Sequence, residues 1–344
     1  MTTPLRLVFL GSDAIARPLL DWLVSEVGRA QVEIVGVFTQ PDRPVGRGQK
    51  ITANEIKTWA LARGLPVFQP EKITDEVRAQ LAALAPDVSL VMAYGHILRD
   101  TFIATPRLGT LNLHTSLLPQ FRGASPIQTA IASGERQTGV TLMRIVRELD
   151  AGPLADVERV KIEPLDTALD IEAKLAAACV LLVARTLPRL AASALNFSAQ
   201  DHSSATFCRR LEKGDGALDF VAPAAELAAR INGLFPWPTC GTELNGQSVK
   251  LGLADVAPLS DAALTSSPAP QSSLVAPGTV LGVDAHGLLV ATGAGVLRLR
   301  RLQRPGGRML PAAEFLRGFP VASGTQIASM PMPALCGPSP FPPR

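Results

Sequence analysis

Hydrophobic positions in the first half of the chain fall into short apolar runs separated by stretches of helical period. Residues 5–10 are an apolar run ending at Gly11; Ser12 and Asp13 then supply an N-cap for a helix over residues 15–23. Residues 31–39 form a second apolar run, and this strand–helix–strand order predicts a doubly wound, mostly parallel sheet of an α/β domain. Helices are expected at 54–63, closed by Gly64, and at 74–84, capped by Thr74, with a short strand near 65–70 between them. Residues 87–93 read as a buried strand running into Tyr94-Gly95-His96. Further on, Leu111-Asn112-Leu113-His114 alternates, so the two leucines share one face and Asn112 and His114 the other. Ser125 and Pro126 open a helix over 126–133 and residues 138–145 form a strand. Ile171, Leu175, Ala178 and Leu182 mark a helix that should stop near Pro188.

The second half has a different texture. Residues 191–206 are small, polar and poorly periodic, as in a linker between domains. A helix at 226–234 is followed by short strands at 242–244, 248–253, 278–283, 287–292 and 296–302. Asn245-Gly246 is a hairpin turn between the first two. Such a series predicts a smaller β-barrel of the OB type. The Ser-, Pro- and Ala-rich segment 257–276 should be a flexible excursion. The expected division is a catalytic domain over 1–190, a linker over 191–206, an OB-like domain over 207–320 and a disordered tail over 321–344.

Composition narrows the function classes. A chain of 344 residues has room for two hydrophobic cores. Hydrophobic residues make up 47% and mean hydropathy is +0.22, yet no apolar run reaches the roughly 20 residues that span a bilayer. The start, MTTPLRLVFLGSDA, has no basic region followed by an apolar core and cleavage site, so a bacterial, cytoplasmic location is expected. Four dispersed cysteines without a CxxC pair, and four histidines without ligand spacing, argue against a structural zinc or a disulfide framework. A net charge of +3 is compatible with an RNA partner without requiring one.

The candidate chemistry lies in residues 109–128. Asn112 can donate to a developing oxyanion, His114 can move a proton, and Asp150, after the next strand, can orient the imidazole. Gly11 lacks the rest of a GxGxxG pattern, which argues against a dinucleotide site. The run NLHTSLLPQFRGASPIQ resembles the folate-dependent formyltransferase motif Asn-x-His-x-Ser-Leu-Leu-Pro-x-x-x-Gly, and the likeness extends over about residues 5–318. It is strongest to the branch acting on charged tRNA. The resemblance implies a Rossmann-like formyltransferase domain and formyl transfer from 10-formyltetrahydrofolate to the α-amino group of initiator methionyl-tRNA, without a metal and in a monomer.

By the same resemblance Asn112, His114 and Asp150 are catalytic. Ser116, Leu117, Leu118 and Pro119 shape the folate pocket, with Tyr94 beside it. Arg43, Arg47 and Lys50, in the connection QPDRPVGRGQK, enter the tRNA acceptor arm, where they would contact phosphates. Arg298, Arg300 and Arg304 carry no acidic neighbour in sequence; Arg298 and Arg300 should share a solvent face turned to RNA. One departure from the family pattern stands out. Val146 and Glu148 occupy places usually taken by an acidic residue and a glycine, which puts the turn before Asp150 in question.

Overall fold

Both faces of the first strand, β1 (Leu5–Gly11), are apolar, and it lies inside a seven-stranded sheet. The computed structural model describes residues 3–45, 48–258 and 275–341, so Arg47 and most of the 257–276 excursion lie outside the described residues. The chain divides into two compact units, one of residues 1–122, 139–160 and 172–205, the other of residues 123–138, 161–171 and 206–344.

In the first unit β1 leads through a capped turn, where Asp13 accepts from the Ile15 amide, to α1 (Arg17–Leu23), α2 (Glu26–Arg29) and β2 (Val32–Phe38). The basic connection is not an irregular loop. It forms a hairpin of β3 (Arg43–Val45) and β4 (Lys50–Thr52), with Arg43 opposite Thr52. Asn54 and Thr74 cap α3 (Glu55–Leu61) and α4 (Asp75–Ala83), which flank β5 (Val67–Phe68). Then come β6 (Val88–Met92), α5 (Asp100–Ile103), β7 (Thr110–His114) and the two-residue β8 (Arg122–Gly123). Pro126 begins α6 (Pro126–Ala132), which belongs to the second unit, although Ser125 makes no side-chain capping bond.

The sheet closes with β9 (Gln137–Arg144) and β10 (Leu154–Lys161), giving the order β10-β9-β7-β6-β1-β2-β5. Pairs from β7 through β5 are parallel, and β9 runs antiparallel to β7. Val8, Leu10, Phe38, Val91 and Phe102 pack one core, with Phe38 stacked on Phe68 at 4.6 Å between centroids. No sequence signal marks β10. Its half-buried, mixed-polarity sequence LADVERVK lacks the alternation expected of a strand.

The helix α7 (Ala168–Ala191) runs through Pro188, not stopping there. A proline so near the C-terminal end removes only one late hydrogen bond. Residues 191–206 are not a free linker either. Ser198 and Leu154 exchange backbone bonds of 2.8 and 2.9 Å, and Leu195 and Gln200 are buried. Pairing with an edge strand orders a segment that periodicity cannot detect.

The second unit holds β11 (Phe207–Cys208), then α8 (Ala224–Leu234) against an antiparallel sheet. Its strands are β12 (Cys240–Leu244), β13 (Gln247–Val256), β14 (Val280–Val283), β15 (Leu288–Ala291) and β16 (Val296–Gln303), with β17 (Leu310–Pro311) paired to β16. The order is β12-β13-β16-β15-β14. Leu227, Ile231 and Leu234 of α8 join Leu251, Leu297, Leu299 and Phe315, the last from α9 (Ala312–Gly318), in its core. β13 slips register near Leu253, and just beyond it buried Asn232 bonds both the Ala254 N–H and C=O, at 2.9 and 3.0 Å.

The tail from 321 to 341, expected to be disordered, is ordered. It bridges at Gln326 to Thr279, buries Ile327 and Leu335, and ends in β18 (Cys336–Gly337). Two spaced apolar anchors hold a Pro- and Ser-rich chain that composition alone assigns to disorder.

Candidate active site

His114 ends β7, and the strand's alternation would turn it outward beside Asn112. The structure buries it to 6% exposure. Its Nε2 lies 2.9 Å from the Phe121 carbonyl oxygen, to which it donates when protonated there. Its Nδ1 lies 3.7 Å from Asp150 Oδ2, too long for a hydrogen bond but close enough for an ion pair with an imidazolium. The carbonyl therefore fixes the ring and leaves Nδ1 on the carboxylate side. Asn112, two residues earlier, is half-buried and its amide makes no hydrogen bond among the described residues.

Thr141, opposite His114 in the antiparallel pairing, ties down the turn over residues 116–120. Its hydroxyl donates to the Ser116 carbonyl at 2.7 Å and accepts from the Leu118 amide at 3.2 Å. The Ser116 hydroxyl in turn donates to the Gln120 carbonyl at 2.6 Å. Ser116 and Leu118 are thus buried parts of the turn, while Leu117 and Pro119 keep partial exposure. Tyr94 differs from the expectation. It is 3% exposed within the core beside Val8, Leu10 and Phe38, so no side-chain surface is left to line a pocket. Burial also raises its phenol well above the ordinary range.

The turn carrying Asp150 departs from the expectation in one detail. The left-handed residue is Asp150 itself, at φ 47°, and not Glu148, which is exposed. An aspartate tolerates this conformation better than most residues. Gly152 is needed close by, because a Cβ there would meet the Arg144 carbonyl oxygen at 1.9 Å. The turn is held from a segment that carries no sequence signal. Gln200 donates to the carbonyls of Asp150 and Gly152 at 2.8 and 2.7 Å, and its own oxygen accepts from Arg122 at 2.6 Å. Arg122 is buried, and His202 Nδ1 lies 3.2 Å from it. Gln200 thereby joins the turn bearing Asp150 to the turn whose Phe121 carbonyl fixes His114. No motif points to it, since its three partners are distant in sequence.

The chain has relatives among known proteins. The family model "Formyl transferase" matches residues 5–187, and "Formyl transferase, C-terminal domain" matches residues 210–320. The chain is 41% identical to the methionyl-tRNA formyltransferase of Ectopseudomonas mendocina (strain ymp) over 90% of its own length and 93% of the relative's. It belongs to the methionyl-tRNA formyltransferase family.

Solved structures share the fold at lower identity. An N-formyltransferase from Helicobacter canadensis, in complex with folinic acid and dTDP-3-aminofucose, superposes with TM-score 0.60 at 16% identity, covering 86% of this chain and 98% of that one. A HypX variant from Aquifex aeolicus superposes with TM-score 0.57 at 16% identity, covering 93% of this chain. The chain spans about half the length of that protein, 49%.

The arginines expected to meet RNA separate in this formyltransferase. Arg298 is a correction: it is 5% exposed, bonded to both Asp255 oxygens at 2.9 and 3.0 Å and to Asp284 at 2.8 Å. The cross-strand register sets Asp255 directly opposite it, supplying the acidic neighbour that the linear sequence lacks. Arg300 is part-buried and bonded to Asp255 at 2.8 Å. Arg304 is exposed, as is Arg301, which alternation alone leaves unmarked. On the hairpin, Arg43 and Lys50 are exposed. Asp42 does not neutralise them, because it is taken by Lys57 at 2.7 Å and by Gln69 at 2.8 Å.

Among the described residues no group of His, Cys, Asp and Glu is placed to hold a metal, and no helix is long and apolar enough to cross a membrane.

Proposed function

We infer that this chain transfers the formyl group of 10-formyltetrahydrofolate to the α-amino group of initiator methionyl-tRNA, giving the N-formylmethionyl-tRNA that starts translation. The observation that carries the catalytic assignment is His114, fixed by the Phe121 carbonyl with Nδ1 toward Asp150, next to the uncommitted amide of Asn112. The neutral amine attacks the formyl carbon; an unperturbed α-amino group, with a pKa of about 7.7–8.0, is readily neutral near physiological pH. A carbon–nitrogen bond forms and the carbonyl oxygen becomes an oxyanion, which Asn112 and protonated His114 stabilise. Collapse breaks the bond to the folate nitrogen. The proton lost by the attacking nitrogen reaches the leaving nitrogen with help from His114 Nδ1 and Asp150.

Leu117 and Pro119 remain candidates for folate contact, and Ser116 and Leu118 support them from within the turn. Arg43 and Lys50 on the hairpin are the RNA contacts, together with Arg47, which lies outside the described residues; Arg304 is the exposed candidate of the second unit. The chain works as a monomer in the bacterial cytoplasm in this reading, as befits a translation enzyme.

The test supplies purified protein with 10-formyltetrahydrofolate and charged methionyl-tRNA, with free methionine and an amino sugar nucleotide as rival acceptors. Formyl-methionine on the tRNA, lost in His114→Ala, is the expected result. Transfer to the sugar alone would overturn the RNA assignment and keep the chemistry. Undiminished transfer in the variant would overturn the catalytic assignment.

A further inference from the structure

The tail beyond the matched family domains returns to the start of the second unit. β18 pairs antiparallel with β11, and the register sets Cys336 directly opposite Cys208. The family model for the C-terminal domain ends at residue 320, so the tail cysteine lies beyond it. Neither sulfur is in a disulfide in the structure.

The kind of pairing matters for what these two sulfurs can do. The Cys208 carbonyl accepts from the Ala124 amide at 3.2 Å. A strand residue points its N–H and C=O to the same side, so Cys208 turns its backbone groups toward Ala124 and away from β18. The Cys208–Cys336 pair is therefore a non-hydrogen-bonded one, the kind in which Cα atoms approach to about 4.5 Å and side chains share one face. Disulfides need Cα atoms roughly 4.4–6.8 Å apart.

The approach is held from both sides. Arg209 donates to the Ala334 carbonyl at 3.2 Å and is itself anchored on buried Asp215, with Nη1 at 2.9 Å. Arg230 donates to the Pro333 carbonyl at 2.9 Å, and Leu335 is buried in the core of the unit. Three residues preceding Cys336 are thus fixed, and the register cannot slip without breaking them.

We propose that Cys208 and Cys336 are a redox modification site, closing into a cross-strand disulfide when the protein meets a small-molecule disulfide of the glutathione class. Cys336 is partly exposed and Cys208 is 4% exposed, which sets the order of events. The Cys336 thiolate attacks the incoming disulfide, giving a mixed disulfide and one free small thiol. The Cys208 thiolate then attacks the Cys336 sulfur, forming the protein disulfide and releasing the second small thiol. The protein loses two protons and two electrons, and the incoming disulfide takes up both to become two thiols. Excess small thiol reverses both steps. In a reducing cytosol such a bond is transient, formed under oxidative load, and it ties the tail covalently to β11.

The experiment incubates the full-length protein with oxidised glutathione, blocks remaining thiols, and maps the non-reduced digest by mass spectrometry. A peptide pair joined through Cys208 and Cys336 is expected, with titratable thiols in denatured protein falling from the four of the sequence to two and recovering with dithiothreitol. Cys336→Ser should abolish the joined pair while keeping formyl transfer. A glutathione adduct that stays on Cys336, a bridge involving Cys179 or Cys240, or no loss of thiols would each overturn the proposal. The wild-type chemistry needs no variant to fold, so the test stands even if a substitution perturbs the tail.

Discussion

At the scale of single residues, the active-site proposal depends on which nitrogen of His114 is available for proton transfer. The Phe121 carbonyl occupies Nε2, and Asp150 faces Nδ1. Removing the proposed oxyanion donor with Asn112→Ala should lower kcat by about 10²–10³-fold with little change in KM, because the contact strengthens only as charge develops. A change confined to KM would remove Asn112 from the chemistry.

Gln200 makes a sharper case, since it acts only through others. Gln200→Glu keeps the size and the acceptor for Arg122 but loses the donor to the Asp150 and Gly152 carbonyls. We expect kcat to fall roughly 10–100-fold, the scale of a misplaced catalytic group, with KM for both substrates nearly unchanged. Melting temperatures measured alongside separate this from unfolding. A variant with normal kcat would mean that the Asp150 turn holds itself.

At the scale of elements, β16 shows how a sheet spends charge. Asp284 sits in a turn that aims it at Arg298, and opposing influences act on it. Burial pushes its carboxyl up, but bonds from Arg298 and from the His286 and Gly287 amides outweigh burial, leaving it below the usual carboxylate range. A depressed folded value contributes stability that is complete above the unfolded value of about 3.9 and is lost as pH falls through the folded one. Asp284→Asn should therefore destabilise the second unit by about 2–4 kcal/mol at neutral pH, since Arg298 keeps only Asp255, and should flatten the acid limb of its stability curve. Urea titrations at several pH values measure both; an unchanged acid limb would remove Asp284 from the linkage.

The same strand marks the limit of what sequence shows. Apolar runs locate β1, β2, β6 and β7, because burial on two faces leaves a local trace. Asn112 and His114 stand out as candidates because candidate chemistry and strand period coincide in four consecutive residues. Arg298 misleads because its carboxylates arrive from positions 43 and 14 residues away, through pairings that no local window contains. Gln200 is hidden for the same reason, at 50 residues from Asp150. The tail misleads because two buried side chains, Ile327 and Leu335, outweigh a composition that resembles disorder.

At the scale of the whole molecule, a net charge of +3 says little, and where the charge is free says more. Arg298 and Arg300 are spent on carboxylates within the fold. Arg43 and Lys50 stand exposed on a two-stranded hairpin whose second strand also exposes Ile51, at 69%. A hairpin with exposed cations and an exposed apolar side chain suits a nucleic-acid end better than a small acceptor, because it offers charge for phosphates and an apolar surface for a base. The double substitution Arg43→Glu and Lys50→Glu should raise KM for methionyl-tRNA and leave kcat at saturation nearly intact, since neither residue belongs to the proposed catalytic set. Each lost phosphate contact should reduce the slope of log affinity against log salt by about 1, so wild type and variant converge as salt rises. Kinetics across a salt series measure this. Parallel lines, or an unchanged KM at low salt, would show that the hairpin charges are only solvated surface, and recognition would then have to rest on the exposed Arg301 and Arg304 of the second unit.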